Sequence, residues 1–270
     1  MTHQLSFHIH DVAPYINWVY FYYAWALGKD AVEERSRLRR DADDLMRRMD
    51  ARYHTYTRFA ILPAVSDGDD IIVNGTRMPM LRQQHAEADK PCLSLADFIR
   101  PAEQGQTDRI GIFAATVDYE MEHPTGADDY QRMLHQTVAD RLAEATVERM
   151  HQLVRTKYWG YAPHENLTID EMHAERFQGI RPAVGYPSLP DTSMNFVIDS
   201  LLGLHHIGIT LTEHGAMRPH ASVSGLMIAH PLAHYFSIPR IGEDQLRSYA
   251  RRRGVPEPIM RRFLQSILAN

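Results

Sequence analysis

Cysteine and long hydrophobic runs are nearly absent from this sequence. A single cysteine, Cys92, stands among 270 residues, so neither an internal disulfide nor a zinc site made of several thiolates can form within the chain. The longest apolar run, residues 16–27 (INWVYFYYAWAL), has about 12 residues where a membrane span needs about 20, and we interpret it as a buried segment. No basic region followed by an apolar core opens the chain, as a secretory signal would. We therefore expect a cytoplasmic protein without a membrane anchor.

The sequence also lacks a basic excess and the common nucleotide and hydrolase motifs. Its formal net charge is −5, whereas general nucleic-acid binding needs a basic field. It contains no G-x-x-x-x-G-K-[ST] phosphate loop, no G-x-G-x-x-G dinucleotide fingerprint, no H-E-x-x-H zinc helix and no G-x-S-x-G nucleophile elbow. With 44% hydrophobic and 23% charged residues, the composition is that of a globular protein. These patterns argue against a nucleic-acid partner and against the commonest enzyme sites.

What the sequence does contain is a mixed order of helix and strand patterns. Apolar residues at intervals of three and four predict helices, and short apolar runs predict strands. The predicted helices cover 31–53, 128–157, 192–205 and 243–253, and the predicted strands 71–73, 111–117, 221–230 and 235–238. Asn74-Gly75 predicts a two-residue hairpin turn, and Gly254 a helix stop. Because strands and helices do not alternate regularly, we expect one α+β domain over residues 1–270 with an antiparallel sheet.

Two histidine pairs raise the question of a metal site. His8 and His10 are separated by one residue and would share one face of a strand, and His205 and His206 are adjacent. Zinc takes three or four protein ligands, and neither pair has a third ligand suggested nearby. Among 16 histidines such pairs are expected by chance. We therefore predict no metal site.

Three stretches are unusually polar for their apolar surroundings, at 158–166, 178–190 and 216–236. Within the second stretch, proline restricts the backbone and Gly185 allows a ligand to approach closely. Arg181 presents a planar fork that suits a carboxylate, and Tyr186 offers a face for an adenine ring or a cationic group. One interpretation is a rigid loop that receives a small ligand with a carboxylate and an aromatic ring. The other is an ordinary Pro-rich turn with a surface arginine and a core tyrosine.

The same stretches carry a resemblance that extends over nearly the whole chain. Tyr158 to Asn166 reads YWGYAPHEN, and Gly179 to Pro187 reads GIRPAVGYP. Further matching segments follow in the same order, at 16–18, 68–71, 81–84, 95–98, 139–145, 221–225 and 244–254. The sequence resembles the activation domain of cobalamin-dependent methionine synthase, the C-terminal module that binds S-adenosylmethionine (AdoMet).

This resemblance implies a C-shaped α+β domain with an antiparallel sheet and flanking helices. It implies a repair function, in which AdoMet and an electron from a flavodoxin-type donor restore methylcobalamin from inactive cob(II)alamin. The cobalamin is held by a partner domain of methionine synthase, for which 270 residues leave no room. We therefore expect a stand-alone reactivation subunit of a methyltransferase system, with no complete active site for methionine synthesis. Since a cobalt(I) nucleophile and a sulfonium methyl group are both already activated, positioning suffices and no catalytic acid or base is expected.

By the same resemblance, the AdoMet site centres on the loop that contains Arg181. Arg181 is expected to hold the AdoMet carboxylate, and Ala183 to offer backbone hydrogen bonds. The neighbouring Gly185 keeps the loop close to the ligand, and Tyr186 stacks beside it. The other side is closed by Tyr235 and by Phe236, which stands where the family often has tyrosine.

Four polar positions complete the implied site. Asn17 stands where the family usually has an aspartate that contacts the AdoMet amino group. Glu144 and Glu175 match acidic positions near the site. Asp140 matches a helix position that hydrogen-bonds the histidine displaced from cobalt, and it lies one helical turn from Glu144 on the same face.

The departure at Asn17 keeps other functions open. One alternative is a docking protein for a corrinoid methyltransferase that has lost the use of AdoMet. Another is the reactivation of a different corrinoid methyltransferase. A third is an independent AdoMet methyltransferase that acts on a small substrate, which the lack of a general base disfavours.

Overall fold

An antiparallel sheet forms the centre of the structure, a computed structural model that describes residues 1–86 and 89–269. Over these residues six strands pair in the order β4-β3-β2-β5-β8, and β1 pairs with β2 beside this path. A separate two-stranded ribbon is formed by β6 and β7. The strands are β1 (Thr2–His8), β2 (His54–Asp67), β3 (Asp70–Val73), β4 (Thr76–Pro79), β5 (Asp108–Val117), β6 (Thr210–Leu211), β7 (Met217–Arg218) and β8 (Ser222–Met227).

Strand β2 is long enough to hold two partners along one edge. Its first half pairs with β1 at residues 54–60, and its last residues pair with β3 at 64–67. Its other edge pairs with β5 from residue 55 to residue 64. The sheet is therefore curled, and β5 lies at its centre between β2 and β8.

The predicted hairpin at 71–76 is confirmed. Strands β3 and β4 are joined by Asn74 at φ 48° and Gly75 at φ 84°. Positive φ at both central positions gives the turn whose twist matches that of the strands, and asparagine and glycine adopt it readily.

The predicted strand at 111–117 is also confirmed, and its continuous apolar character has a clear cause. Ile110, Ile112 and Ala114 point to a core that includes the helix at 194–202. The alternate residues, Phe113 and Ala115, point to a second core on the opposite face of the sheet. A strand covered on both faces does not show the polar and apolar alternation of a half-exposed strand.

Eight helices of the described residues flank the sheet. They are α1 (Ile9–Val12), α2 (Trp18–Ala24), α3 (Val32–Asp50), α4 (Asp129–Leu153), α5 (Ile169–His173), α6 (Met194–Leu202), α7 (Glu243–Arg253) and α8 (Glu257–Phe263). The four predicted helices correspond to α3, α4, α6 and α7. None of the helices in this part of the chain combines the length and the hydropathy that a bilayer span requires.

The long helix α4 places the functional site. It begins at a capping box, in which the Asp128 side chain accepts the Gln131 N–H at 2.8 Å. Its first half packs with α1 and α3, and its last turns pack on Phe59 and Phe113 of the sheet. The predicted end near residue 157 is reached through a wider, π-helical turn at Val154–Tyr158.

The interpretation of residues 16–27 as a buried segment is wrong. Asn17 caps α2 by accepting the Val19 N–H at 3.2 Å, and the helix that follows buries only part of its surface. Phe21 is fully buried, whereas Tyr23 is 82% exposed and Tyr20 is 58% exposed. A run of apolar residues in a helix must turn some of them outward when the helix packs on one side only.

Two strand predictions near the C-terminus are corrected. Strand β8 is shorter than the predicted 221–230 and ends at Met227. The predicted strand at 235–238 is irregular, with one backbone bond from the Ile238 N–H to the Pro187 carbonyl at 2.8 Å. Pro231 and Pro239 lack the N–H group that a ladder needs, and the apolar residues between them are held by side-chain packing.

Candidate functional site

A cavity of about 770 Å³ opens beside the middle of α4. Its walls come from α2, from α4, from the loop at 181–188 and from the segment at 235–237. Small-molecule sites usually have volumes of about 300–1,000 Å³, so the cavity can hold a ligand of nucleoside size.

Eight of the ten residues expected to form the site line this cavity. They are Asn17, Glu144, Glu175, Arg181, Ala183, Tyr186, Tyr235 and Phe236. The other two lie next to it. Gly185 precedes Tyr186 in the turn, and Asp140 lines an adjoining recess. Thus residues that are up to 219 positions apart in the sequence are brought to one place.

The loop that contains Arg181 is held against strand β8 by backbone hydrogen bonds. The Leu226 N–H donates to the Pro182 carbonyl at 3.0 Å, and the Val184 N–H donates to the Ser224 carbonyl at 2.9 Å. A Cβ atom on Gly225 would lie 2.3 Å from the Pro182 oxygen, so only glycine permits this approach. The loop is therefore placed by the sheet.

Arg181 forms a buried ion pair inside the cavity. One guanidinium nitrogen donates to Glu148 Oε1, and the Arg181 backbone N–H donates to the Tyr235 hydroxyl at 3.0 Å. The two side chains of the ion pair are 17% and 14% exposed. Burial lowers the pKa of Arg181, an effect opposed by Tyr235 and Glu144. Arginine remains charged at neutral pH even so, which keeps a cation available to a ligand.

Unpartnered polar atoms are concentrated at the cavity. Of five buried side-chain nitrogen and oxygen atoms without a hydrogen-bond partner in the described residues, three belong to cavity-lining residues. They are Arg141 Nε, Glu148 Oε2 and Arg181 Nε. An unsatisfied buried group costs about 1–3 kcal/mol, so a ligand that supplies partners for two donors and one acceptor would be favoured. An amino-acid head group, with a carboxylate beside an ammonium, has this character.

Aromatic rings supply the apolar part of the cavity. Tyr186 is 52% exposed, and its hydroxyl donates to Glu144 Oε1 at 3.3 Å. Burial and the Glu144 charge raise the pKa of Tyr186. Tyr235 and Phe236 lie across the cavity, and Tyr20 and Tyr23 of α2 reach it from the outside. Such rings can stack on an adenine or lie against a cationic sulfonium.

The acidic positions differ in their surroundings. Glu175 follows α5 in a left-handed conformation at φ 55°, and burial raises its pKa. Glu144 forms an ion pair with Arg141 at 2.8 Å and lines both the cavity and the adjoining recess. Glu144 and Arg141 of helix α4 therefore line both depressions as an ion pair.

Asp140 lies in the recess within a group of polar side chains. Its Oδ1 accepts from Gln136 Nε2 at 3.0 Å and lies 3.3 Å from His220 Nδ1. Glu122 accepts the backbone N–H groups of His220, at 3.0 Å, and of Ala221. Burial raises the pKa of Asp140, and the contacts with Gln136 and His220 oppose this shift.

Sequence reasoning missed three residues of this region. Glu148 is four residues after Glu144, and this helical spacing could have placed it on the same face. His220 lies in the polar stretch at 216–236 but was not assigned to the site, and Glu122 offered no signal. Both meet Asp140 only in the folded chain.

A buried charge network lies next to the loop that contains Arg181. Arg155 is fully buried, and its guanidinium donates to both oxygens of Glu165 at 2.7 and 2.6 Å. It also lies 2.8 Å from His151 Nδ1, and burial together with the Arg155 charge keeps the pKa of His151 well below its usual value. Tyr161 connects this network to the Gln178 carbonyl at 3.3 Å, just before the loop that contains Arg181.

The fold and the cavity together define a class of protein. It is an α+β domain in which a curled antiparallel sheet and its helices enclose a cavity of small-molecule size, with a charged end and aromatic walls. It differs from parallel-sheet nucleotide-binding proteins, as the irregular order of helix and strand patterns predicted.

Comparison with known proteins identifies the family. The family model for the vitamin B12 dependent methionine synthase activation domain matches residues 8–254. A solved structure described as "Crystal Structure of the MetH Reactivation Domain bound to AdoHcy" is similar, with a TM-score of 0.94 and 35% sequence identity. The match covers 100% of this chain and 91% of that chain. The chain belongs to the activation-domain family of B12-dependent methionine synthase, and the predicted resemblance and α+β fold class are confirmed.

Proposed function

We propose that this domain binds AdoMet in the cavity beside α4 and presents its methyl group to cobalamin held by a partner protein. The unpartnered polar atoms of Arg181 and Glu148, buried at the charged end of the cavity, are the observation that carries this proposal. The similar solved structure is described as bound to AdoHcy, which is AdoMet without its transferred methyl group.

In this proposal each wall of the cavity holds one part of AdoMet. Arg181 receives the carboxylate, and the oxygen atoms of Asn17 and Glu148 receive the amino group. The backbone of Ala183 offers hydrogen bonds to the ligand, and Gly185 keeps the loop close to it. The rings of Tyr186, Tyr235 and Phe236 face the adenosine and sulfonium groups. Glu175 adds a carboxyl group at the rim.

AdoMet would supply its sulfonium methyl group, transferred as a cation to cobalt after one-electron reduction of cob(II)alamin by a flavodoxin-type donor, leaving AdoHcy. No proton is transferred in this step, so the domain needs no acid or base. The contribution of its residues is to orient the methyl group toward the open side of the cavity, and such positioning accounts for a large part of the rate in reactions of this kind.

Titration of AdoMet into the purified protein by calorimetry tests the ligand. An assay of cob(II)alamin methylation, with a separate cobalamin-binding domain and a reduced donor, then tests the stand-alone function. Saturable binding followed by AdoMet-dependent methylation is expected. If the protein bound AdoMet but methylated the cobalamin of no methionine synthase domain, the result would instead favour the reactivation of a different corrinoid methyltransferase.

A second candidate is a docking protein that does not use AdoMet. It is favoured by the neutral side chain of Asn17 and by Glu148, which already neutralises Arg181. This candidate would be favoured if the protein bound a cobalamin domain but bound no AdoMet at millimolar AdoMet concentration.

We expect the Asn17→Asp substitution to strengthen AdoMet binding about fivefold. The variant adds a negative charge next to the ligand amino group, and a charge-assisted hydrogen bond contributes about 1 kcal/mol more than a neutral one. Aspartate also caps helices well, so α2 is retained. Calorimetry of the two proteins measures the change. Asn74→Asp adds the same charge in the exposed hairpin turn and should leave the affinity unchanged; an equal gain there would contradict the assignment of Asn17.

We expect Asp140→Asn to slow methylation of partner-bound cobalamin about tenfold and to leave AdoMet affinity unchanged. In the proposal, Asp140 receives the histidine that leaves cobalt and favours its protonated form, and loss of the charge removes about 1.5 kcal/mol of this interaction. The reactivation rate with the partner domain is the measurement. Asp129→Asn, at the fully exposed start of α4, is the matched control. An unchanged rate in Asp140→Asn would remove Asp140 from the partner surface.

A further inference from the structure

A cluster of histidine and aspartate side chains lies where three elements meet, outside the cavity. His8 ends β1, His10 lies in α1, and Asp50 ends α3. His10 Nδ1 is 2.8 Å from Asp50 Oδ2, and one ligand atom from each of the three residues lies within 4.8 Å of the others. Forty residues of sequence separate His10 from Asp50, so folding supplies the third side chain that the sequence pattern lacked.

The cluster is held in place by contacts around it. Asp50 Oδ1 accepts the backbone N–H of His10 at 2.9 Å, which leaves Oδ2 directed at the imidazole. The His8 ring stacks on His10 with centroids 5.2 Å apart, and on its other side it contacts His54 at 4.5 Å. His54 is the register partner of His8 in the β1–β2 ladder. The rings are therefore positioned by the sheet and by each other.

The donor set has the chemistry of a divalent transition-metal site. Zinc binds imidazole nitrogen and carboxylate oxygen at about 2.0–2.2 Å, and three such ligands with water in the fourth position form a common arrangement. A metal ion would replace the proton between His10 Nδ1 and Asp50 Oδ2, and small side-chain rotations would move these two atoms further apart than 2.8 Å and bring His8 within reach of the ion. The His10 side chain is 64% exposed, so an ion can enter and a water ligand has space.

We propose that His8, His10 and Asp50 bind one divalent transition-metal ion, for which Zn²⁺ is the test ion. The ion would connect β1, α1 and α3. It would thereby secure the start of the segment that leads, seven residues after His10, to Asn17 in the cavity. This site is independent of AdoMet, and the ion would act by connecting the three elements.

Calorimetric titration of Zn²⁺ into the full chain tests the site. The wild-type protein is expected to bind one equivalent, and the His8→Ala/His10→Ala variant to bind at that site at least tenfold more weakly. The control is His205→Ala/His206→Ala, which removes two adjacent surface histidines whose rings are 4.1 Å apart. This control variant measures the background Zn²⁺ binding of a histidine-rich chain. It should still bind one equivalent of Zn²⁺ as tightly as the wild type.

Two further measurements separate metal binding from a folding defect. Zn²⁺ should raise the melting temperature of the wild-type protein, because a ligand that binds only the folded state stabilises it, and this rise should be absent in the His8→Ala/His10→Ala variant. Co²⁺ should produce the visible absorption band of a low-coordinate site in the wild type and in the His205→Ala/His206→Ala control, but not in the His8→Ala/His10→Ala variant. Equal Zn²⁺ affinity in the wild type and this variant, or an equal loss in the His205→Ala/His206→Ala control, would overturn the proposal.

Discussion

Replacing Arg181 by alanine is expected to weaken AdoMet binding about a hundredfold or more. Hydrogen bonds to charged groups contribute about 1.5–3 kcal/mol each, and the guanidinium can give more than one to a carboxylate. The site lies in a buried position with an unpartnered Nε, where solvent does not replace the lost donor. Calorimetric titration of AdoMet into wild-type and variant protein measures the difference.

The controls for this substitution separate binding from folding. Arg176→Ala removes an arginine five residues earlier whose side chain is 66% exposed, and it should bind AdoMet normally. The Arg181→Ala/Glu148→Gln variant removes the carboxylate that the single substitution leaves buried without its partner. It is compared for folding only, by its melting temperature, because Glu148 is itself assigned to the ligand amino group. If Arg181→Ala remains folded and its affinity for AdoMet falls less than about threefold, the ligand carboxylate binds elsewhere.

Replacing Arg155 by methionine is expected to lower the free energy of unfolding by about 3–5 kcal/mol. Removal of one partner from a buried ion pair leaves the other charge without compensation, and such losses are of this size. Glu165 is only 6% exposed in its side chain and would lose both hydrogen bonds from the guanidinium. Denaturation by urea at neutral pH, monitored by circular dichroism, gives the value.

An exposed arginine provides the comparison for Arg155. Arg261 of α8 forms ion pairs with Glu243 and Glu257, but its side chain is 41% exposed. Exposed pairs contribute about 0–1 kcal/mol, so Arg261→Met should change stability little. The Arg155→Met/Glu165→Gln variant should recover part of the loss, because the unpaired charge is gone. If Arg155→Met cost no more than Arg261→Met, the buried network would not be a stabilising feature.

Arg155 and Arg181 lie in connected parts of the molecule. The buried network reaches the Gln178 carbonyl through Tyr161, and the loop with Arg181 follows within three residues. A change at Arg155 that leaves the protein folded should therefore also alter the placement of the loop. The stretch at 158–166 is thus connected, through the Tyr161–Gln178 hydrogen bond, to the residue that precedes the stretch at 179–187.

The sequence alone determined those features that depend on local chemistry. Helical spacing specified α3, α4 and α7, and Asn74-Gly75 specified the hairpin, because neighbours along the chain decide these elements. The polar motifs led to the family and to ten candidate residues, eight of which line one cavity. Recognition succeeded because the motifs are long and occur in a fixed order.

Only the tertiary structure decided which distant residues meet. It paired Arg181 with Glu148, joined Glu122 and His220 to Asp140, and placed Asp50 beside His10. It also turned the tyrosines of α2 outward and left 235–238 without a ladder, against the expectations from apolar runs. Hydrophobicity along the chain reports that a segment can be buried. Which side of it is buried, and against what, depends on contacts between segments that local sequence does not encode.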